Sequence, residues 1–291
     1  MEIMAIQPVG FCPGVRRAFE LCVQALREKE RTVYLLGELV HNKEAVAFLE
    51  KRGVKMVTDL SEIPMGATVV TRSHGIEQST MEKLRQKDAH IVDTTCPRVK
   101  RVRDLAQELE KRGYYLIFLG NRNHPEICSI LSFLSRKAVI LQEERDWQDF
   151  DFQSLSGQKI AVLAQTTLPQ TTLASFLEWK NQKVPLLSIE IFDTLCAETE
   201  KRQKNLVKMI AENNLTTVIV VGGKHSSNTR SLILIAKQQG VRTLWIETPQ
   251  ELEKEYFAPS ERIGVASGAS TPNWIVDEVV STLKSLAEEK R

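Results

Sequence analysis

Short apolar runs of strand character alternate along the chain with stretches whose apolar residues recur at helical spacing. The run Ile3 to Val9 precedes a helical pattern that begins near Val15, with Pro13 suited to a helix first turn. Two further runs share their ending: Ile91-Val92-Asp93-Thr94-Thr95-Cys96 and Ile191-Phe192-Asp193-Thr194-Leu195-Cys196 both close on Asp-Thr-x-Cys. Basic, amphipathic stretches follow them, as with Val99, Val102, Leu105 and Leu109 after the first. Each cysteine is therefore expected where a strand passes into a helix. Cys12, in Gly10-Phe11-Cys12-Pro13-Gly14, has the same setting.

The next elements repeat too. An apolar strand ends at Gly37, Gly120 and Gly222, which lie 25, 24 and 26 residues after their cysteines, and His41, His124 and Ser226 stand four residues further on. A third strand then leads to a polar ending: Thr68 to Thr71 before Ser73-His74-Gly75, Ile160 to Ala164 before Gln165-Thr166-Thr167, and Ile263 to Ala266 before Gly268-Ala269-Ser270-Thr271. Strands alternating with helices imply parallel sheets, whose ligands bind beyond the carboxyl ends of the strands. The pattern predicts three pseudo-repeated α/β units with mainly parallel sheets, over 1–95, 96–192 and 193–291, the last with a C-terminal helix. Their strand ends are expected to face one cavity.

Size and charge narrow the function. The 291 residues are 42% hydrophobic, enough for a large core or several small ones. Lys plus Arg at 39 against Asp plus Glu at 37 gives a net charge of +2 with interspersed signs, which calls for no nucleic acid. No apolar run has membrane-spanning length and no secretion signal opens the chain, so no membrane is expected and the cytoplasm is the expected location.

A cysteine at a helix start meets unpaired N–H groups and the helix dipole, which favour the thiolate. Three such thiolates suit zinc or an iron-sulfur cluster, and leave one metal position open to a substrate. His41, His74 or His124 could instead complete a closed zinc tetrahedron. A cysteine-dependent transferase, with Cys12 or Cys96 as nucleophile and a histidine as base, is a third reading. Glu126, in His124-Pro125-Glu126, is a candidate proton donor if burial raises its pKa. His41, His74, Ser226, Ser227, Asn228 and Ser270 are donors at strand ends and imply an anionic ligand, with phosphate the natural choice. No Walker or GxGxxG turn stands at a strand-to-helix junction, which argues against a nucleotide. Cys22, Cys128, His90 and His225 are expected to be structural or exposed.

Taken in order, Gly10-Phe11-Cys12-Pro13-Gly14-Val15, Val40-His41-Asn42, Ser73-His74-Gly75, Asp93-Thr94-Thr95-Cys96-Pro97, His124-Pro125-Glu126, Gln165-Thr166-Thr167-Leu168, Asp193-Thr194-Leu195-Cys196, Ser226-Ser227-Asn228-Thr229 and Gly268-Ala269-Ser270-Thr271-Pro272 resemble the 4-hydroxy-3-methylbut-2-enyl diphosphate reductase family over nearly the whole chain. The resemblance implies a trefoil of α/β domains around a 4Fe-4S cluster held by Cys12, Cys96 and Cys196. It implies a diphosphate substrate met by His41, His74, His124, Thr166, Thr167, Ser226, Ser227, Asn228 and Ser270, with Glu126, Thr166 and His124 carrying the chemistry. The implied reaction is a reductive dehydroxylation that makes five-carbon isoprenoid precursors in the methylerythritol phosphate pathway. A ferredoxin or flavodoxin is the implied electron donor, and the enzyme is expected to be a monomer or homodimer.

Overall fold

The computed structural model describes residues 1–28, 32–258 and 260–288, so the last residues of the expected third unit, 289–291, lie outside the described residues. The chain runs β1 (Glu2–Ala5), α1 (Pro13–Glu28), β2 (Val33–Leu36), α2 (Lys43–Glu50), β3 (Val54–Val57), β4 (Thr68–Val70), α3 (Gln78–Gln86) and β5 (His90–Val92). It continues through α4 (Pro97–Lys111), β6 (Tyr115–Leu119), α5 (Pro125–Leu131), β7 (Val139–Leu141), α6 (Glu144–Asp149), β8 (Ile160–Ala164), α7 (Gln170–Lys183) and β9 (Ile189–Ile191). The last part holds α8 (Ala197–Glu212), β10 (Thr217–Val221), α9 (Ser227–Gln238), β11 (Arg242–Ile246), β12 (Arg262–Ser267) and α10 (Asn273–Glu288). Among the described residues no helix is long and apolar enough to cross a membrane.

These strands form three four-stranded sheets, ordered β3-β2-β4-β5, β7-β6-β8-β9 and β11-β10-β12-β1, and every pairing is parallel. The α/β class with parallel sheets is thus as the periodicity predicts. One strand goes elsewhere than expected. β1 pairs with β12, Glu2 opposite Arg262 and Ala5 opposite Val265, so it completes the sheet of the third unit and not that of the first. The repeat supplies the reason. β5 and β9 are edge strands that lead into Cys96 and Cys196, and β1 is the edge strand that leads into Cys12, which covers an edge of β12 that no later strand fills among the described residues.

Contacts divide the chain into a terminal unit (Met1–Arg17, Val40–Arg52 and Ala197–Arg291) and a central unit (Ala18–Leu39 and Gly53–Cys196). In the central unit both faces of the second sheet are buried, as parallel sheets require. Ile117, Leu119, Ile160 and Val162 pack with Trp147, Phe152 and Phe176 on one side. Leu116, Phe118, Ala161 and Leu163 pack with Val99, Val102, Ile127 and Ile130 on the other. That second face seats α4 and α5 together, and they bring Cys96 and Glu126 with them. In the terminal unit Val218, Val220 and Leu206 form one core layer beside the third sheet, and Ile219, Val265, Val276 and Val279 the other.

Candidate active site

The three cysteines are held alike. Cys12, Cys96 and Cys196 are each half-buried and immediately precede α1, α4 and α8. Their backbone N–H groups donate to the carbonyls of Ala269 (3.0 Å), Ser73 (2.9 Å) and Thr166 (2.9 Å), in the loops after β12, β4 and β8. The helix start also serves the sulfur: Val15 N–H points at Cys12 Sγ at 3.5 Å. At Cys96, however, the expected thiolate is not the favoured form of the bare side chain. Burial pushes its pKa up, the N–H groups of Arg98 and Val99 oppose this, and Cys196 and Glu126 add to the rise as neighbouring negative charges.

The residues picked from the sequence fall into two sets, each assembled within one unit. In the central unit, Glu126 lies in the first turn of α5 and is 1% exposed. Thr166 holds both of its oxygens: the backbone N–H lies 2.7 Å from Oε1 and the hydroxyl 2.7 Å from Oε2. Burial raises the Glu126 pKa against the lowering effect of those two bonds, which keeps the carboxyl protonated to a higher pH than usual. His124 caps α5, its Nδ1 accepting from the Glu126 N–H at 3.1 Å, so the ring carries its proton on Nε2. The His74 ring meets that of His124 edge-on at 5.4 Å. Thr167 Oγ1 accepts from Gln165, whose Oε1 in turn holds the Asn121 N–H, so the loop after β8 is braced.

In the terminal unit, Ser270 donates to the His41 carbonyl at 3.3 Å. Gly223 lies against the same carbonyl, where a Cβ would stand 2.3 Å from the oxygen, so only glycine lets the loop after β10 come this close. Ser226 is the N-cap of α9 and accepts from the Thr229 N–H at 3.3 Å. Ser227 and Asn228 occupy the first turn of that helix. Asn228 is 4% exposed, yet its Oδ1 and Nδ2 find no hydrogen-bond partner among the described residues. In the central unit, the buried Ser73 Oγ beside His74 shares that condition. Buried polar atoms are normally satisfied, which makes Asn228 and Ser73 candidates to receive a polar ligand.

The residues set aside in the sequence stay outside these sets. Cys22 is fully buried in α1 with its thiol pushed up to about 12 by burial, and His90 and His225 are exposed. Cys128 is half-buried on α5 with its sulfur on the Arg122 carbonyl at 3.5 Å. The sequence reading passed over Ser73, whose lack of a partner has no sequence signal beyond its place beside His74.

Three parallel sheets, each with one edge strand that leads into a cysteine before a helix, and a buried acid among donor loops define an α/β protein built for chemistry on an anionic ligand. The sequence profile described as LytB protein matches residues 3–284, and the chain belongs to the LytB family. It is 34% identical over 286 residues to the 4-hydroxy-3-methylbut-2-enyl diphosphate reductase of Clostridioides difficile, covering 98% of this chain and 100% of that one. It is 33% identical to the enzyme of the same name from Aquifex aeolicus, covering 99% and 98%. Among solved structures it is similar to the E-1-hydroxy-2-methyl-but-2-enyl-4-diphosphate reductase of Plasmodium falciparum, with a TM-score of 0.90 at 28% identity over 97% of this chain and 88% of that one. A structure described as (E)-4-hydroxy-3-methyl-but-2-enyl diphosphate reductase, the terminal enzyme of the non-mevalonate pathway, matches with a TM-score of 0.71 at 33% identity, covering 98% and 100%.

Proposed function

We propose that this chain reduces 4-hydroxy-3-methylbut-2-enyl diphosphate, replacing its hydroxyl with hydrogen to give isopentenyl and dimethylallyl diphosphate. Family membership and relatives at 33% and 34% identity support the reaction. The observation that carries it in this chain is the buried Glu126 carboxyl bonded twice by Thr166.

The overall change consumes two electrons and two protons and releases water. Cys12, Cys96 and Cys196 would hold the 4Fe-4S cluster that the family implies, and three half-buried sulfurs at helix starts are the soft donors it takes. When bound, such a cluster supplies electrons and a Lewis-acidic iron. The protein supplies the proton. Burial lets Glu126 keep its proton to a higher pH than an ordinary carboxyl, which makes it the candidate donor when the departing oxygen needs a proton. Thr166 Oγ1, 2.7 Å from Glu126 Oε2, is the natural relay between that carboxyl and the substrate hydroxyl. His124 offers Nε2–H to the diphosphate, because Nδ1 is committed to the helix cap. His41, His74, Thr167, Ser226, Ser227, Asn228 and Ser270 are the remaining donors for the substrate. Asn228 gains most, since a ligand would satisfy both ends of its amide. The electrons come from a small carrier, a ferredoxin or flavodoxin, with the cytoplasm as the place of work and a monomer or homodimer as the working form.

Anaerobic purification, iron and sulfide analysis, and product analysis with the diphosphate substrate test the proposal together. Near-equal iron and sulfide with formation of both products is the expected result. A colourless, zinc-loaded and inactive protein would replace it with the closed zinc site.

A further inference from the structure

The Cys96 and Cys196 arms share an anchor that the Cys12 arm cannot have. Two residues before each of the first two cysteines stands a buried threonine. Thr94 Oγ1 donates to the Thr71 carbonyl at 2.5 Å, and Thr194 Oγ1 to the Ala164 carbonyl at 2.7 Å. Thr71 and Ala164 in turn lie two residues before the carbonyls that receive the cysteine N–H groups. One hydroxyl thus ties each cysteine arm to the end of its neighbouring strand. The aspartates before those threonines add a second tie, accepting from the Thr95 N–H at 2.9 Å and the Leu195 N–H at 3.2 Å.

At the matching positions before Cys12 stand Val9 and Gly10, which have no such groups. Gly10 cannot be threonine: its φ is +79°, and a Cβ would lie 1.8 Å from Asn273 Oδ1. The residue matching Thr71 and Ala164 is Ser267, whose Oγ accepts from the Gly10 N–H at 2.9 Å. Its carbonyl receives Arg202 Nη1 at 3.0 Å, in place of the threonine hydroxyl. The same guanidinium donates to the Pro8 carbonyl at 2.8 Å and, through Nη2, to the Gly10 carbonyl at 2.7 Å. Arg202 is the sixth residue of α8 and only 3% exposed, and all of these partners lie in the terminal unit.

We infer that Arg202 is the positioning residue for Cys12, a guanidinium clamp that does for this arm what the Asp-Thr pair does for the other two. Its rigid fork reaches three carbonyls from one side chain, which a lysine ammonium on a flexible stem reproduces only in part. That the positioned sulfur serves a cluster rests on the reductase reading; the clamp itself does not.

Site-resolved alkylation separates the two. The full-length chain, with and without reconstituted iron and sulfide, is pulsed with iodoacetamide under anaerobic reducing conditions, and each cysteine is read by peptide mass spectrometry. In Arg202→Met, Cys12 is expected to react about tenfold faster than in the wild type while Cys96 and Cys196 keep their rates. Arg202→Lys falls between, and Ser267→Ala also raises Cys12 alone. Equal acceleration of all three cysteines would reduce Arg202 to general support of the fold, and unchanged rates would remove the clamp; either overturns the inference. Should Arg202→Met fail to fold, the lysine and Ser267 variants make the same comparison. A selective effect in the metal-free chain with no cluster on reconstitution would uphold the clamp and defeat the reductase reading.

Discussion

Glu126 and Asn228 are buried almost equally, and their polar atoms are treated in opposite ways. Both carboxyl oxygens of Glu126 are occupied by Thr166, whereas both polar atoms of the Asn228 amide lack partners among the described residues. Folding alone therefore completes the acid's hydrogen bonds and shifts its titration upward before anything binds. It leaves the amide at a cost that a polar ligand would recover. On the proposed function, the group that holds a proton is prepared by its own chain, and the one that holds a substrate is kept ready.

The largest break in that contrast is Glu126→Gln. The amide copies the neutral acid, so the fold and any cluster persist while turnover drops by about 10²- to 10⁴-fold, read as kcat beside iron content and Tm. The wild type should carry a matching pH signature. A carboxyl raised above its ordinary 4.5 contributes stability that is fully present below that value and lost as pH rises through the raised one. The Gln variant should lack this slope in a series of melts, and an unchanged slope would assign it to other groups.

Asn228→Ala comes next. Substrate affinity is expected to fall roughly 10- to 100-fold, seen in KM, while Tm holds or rises because an unsatisfied buried amide has gone. A large fall in Tm would make Asn228 a structural residue. Smaller is Asp93→Asn. Burial pushes the Asp93 carboxyl up, but Lys100 at 2.6 Å and Thr95 bring it below its ordinary value. Its stabilisation is present above the ordinary carboxylate range and is lost as pH falls through the lowered value. With both side chains a third exposed, removal should cost less than about 1 kcal/mol, measured by denaturant titration. Cys128→Ser, two residues from Glu126 on the same helix, should leave turnover intact and stability within about 0.5 kcal/mol.

Much of this was legible in the sequence because the informative signals are local. A cysteine closing an apolar run, followed by helical spacing, placed the starts of α1 and α4, and the apolar run Ile160 to Ala164 is β8. Glu126 could be suspected from its motif, but not its burial, which depends on α5 packing beside α4 on the second sheet. Ser226 and Asn228 looked alike as polar residues near a helix start. One proved to be the cap and the other carries the amide without partners, a distinction that side-chain geometry alone makes. Arg202 gave no signal, because a basic residue in an amphipathic helix reads as solvent-facing until the Cys12 arm is seen to lack the Asp-Thr pair. The partner of β1 was hidden for a similar reason: parallel pairing leaves no turn between the strands to read.

That pairing has a consequence for how the chain comes together. Glu2 lies opposite Arg262, so β1 can pair only once β12, 260 residues further along the chain, has been made, and the other two sheets can close while it is still unmatched. Closing so long a loop costs entropy, and until it closes both β1 and the β12 edge stand open to foreign strands. The loop that carries Cys12 grows directly out of β1, so that cysteine takes its lasting position only once β1 and β12 have paired, when the strands leading into Cys96 and Cys196 can already have joined their own sheets.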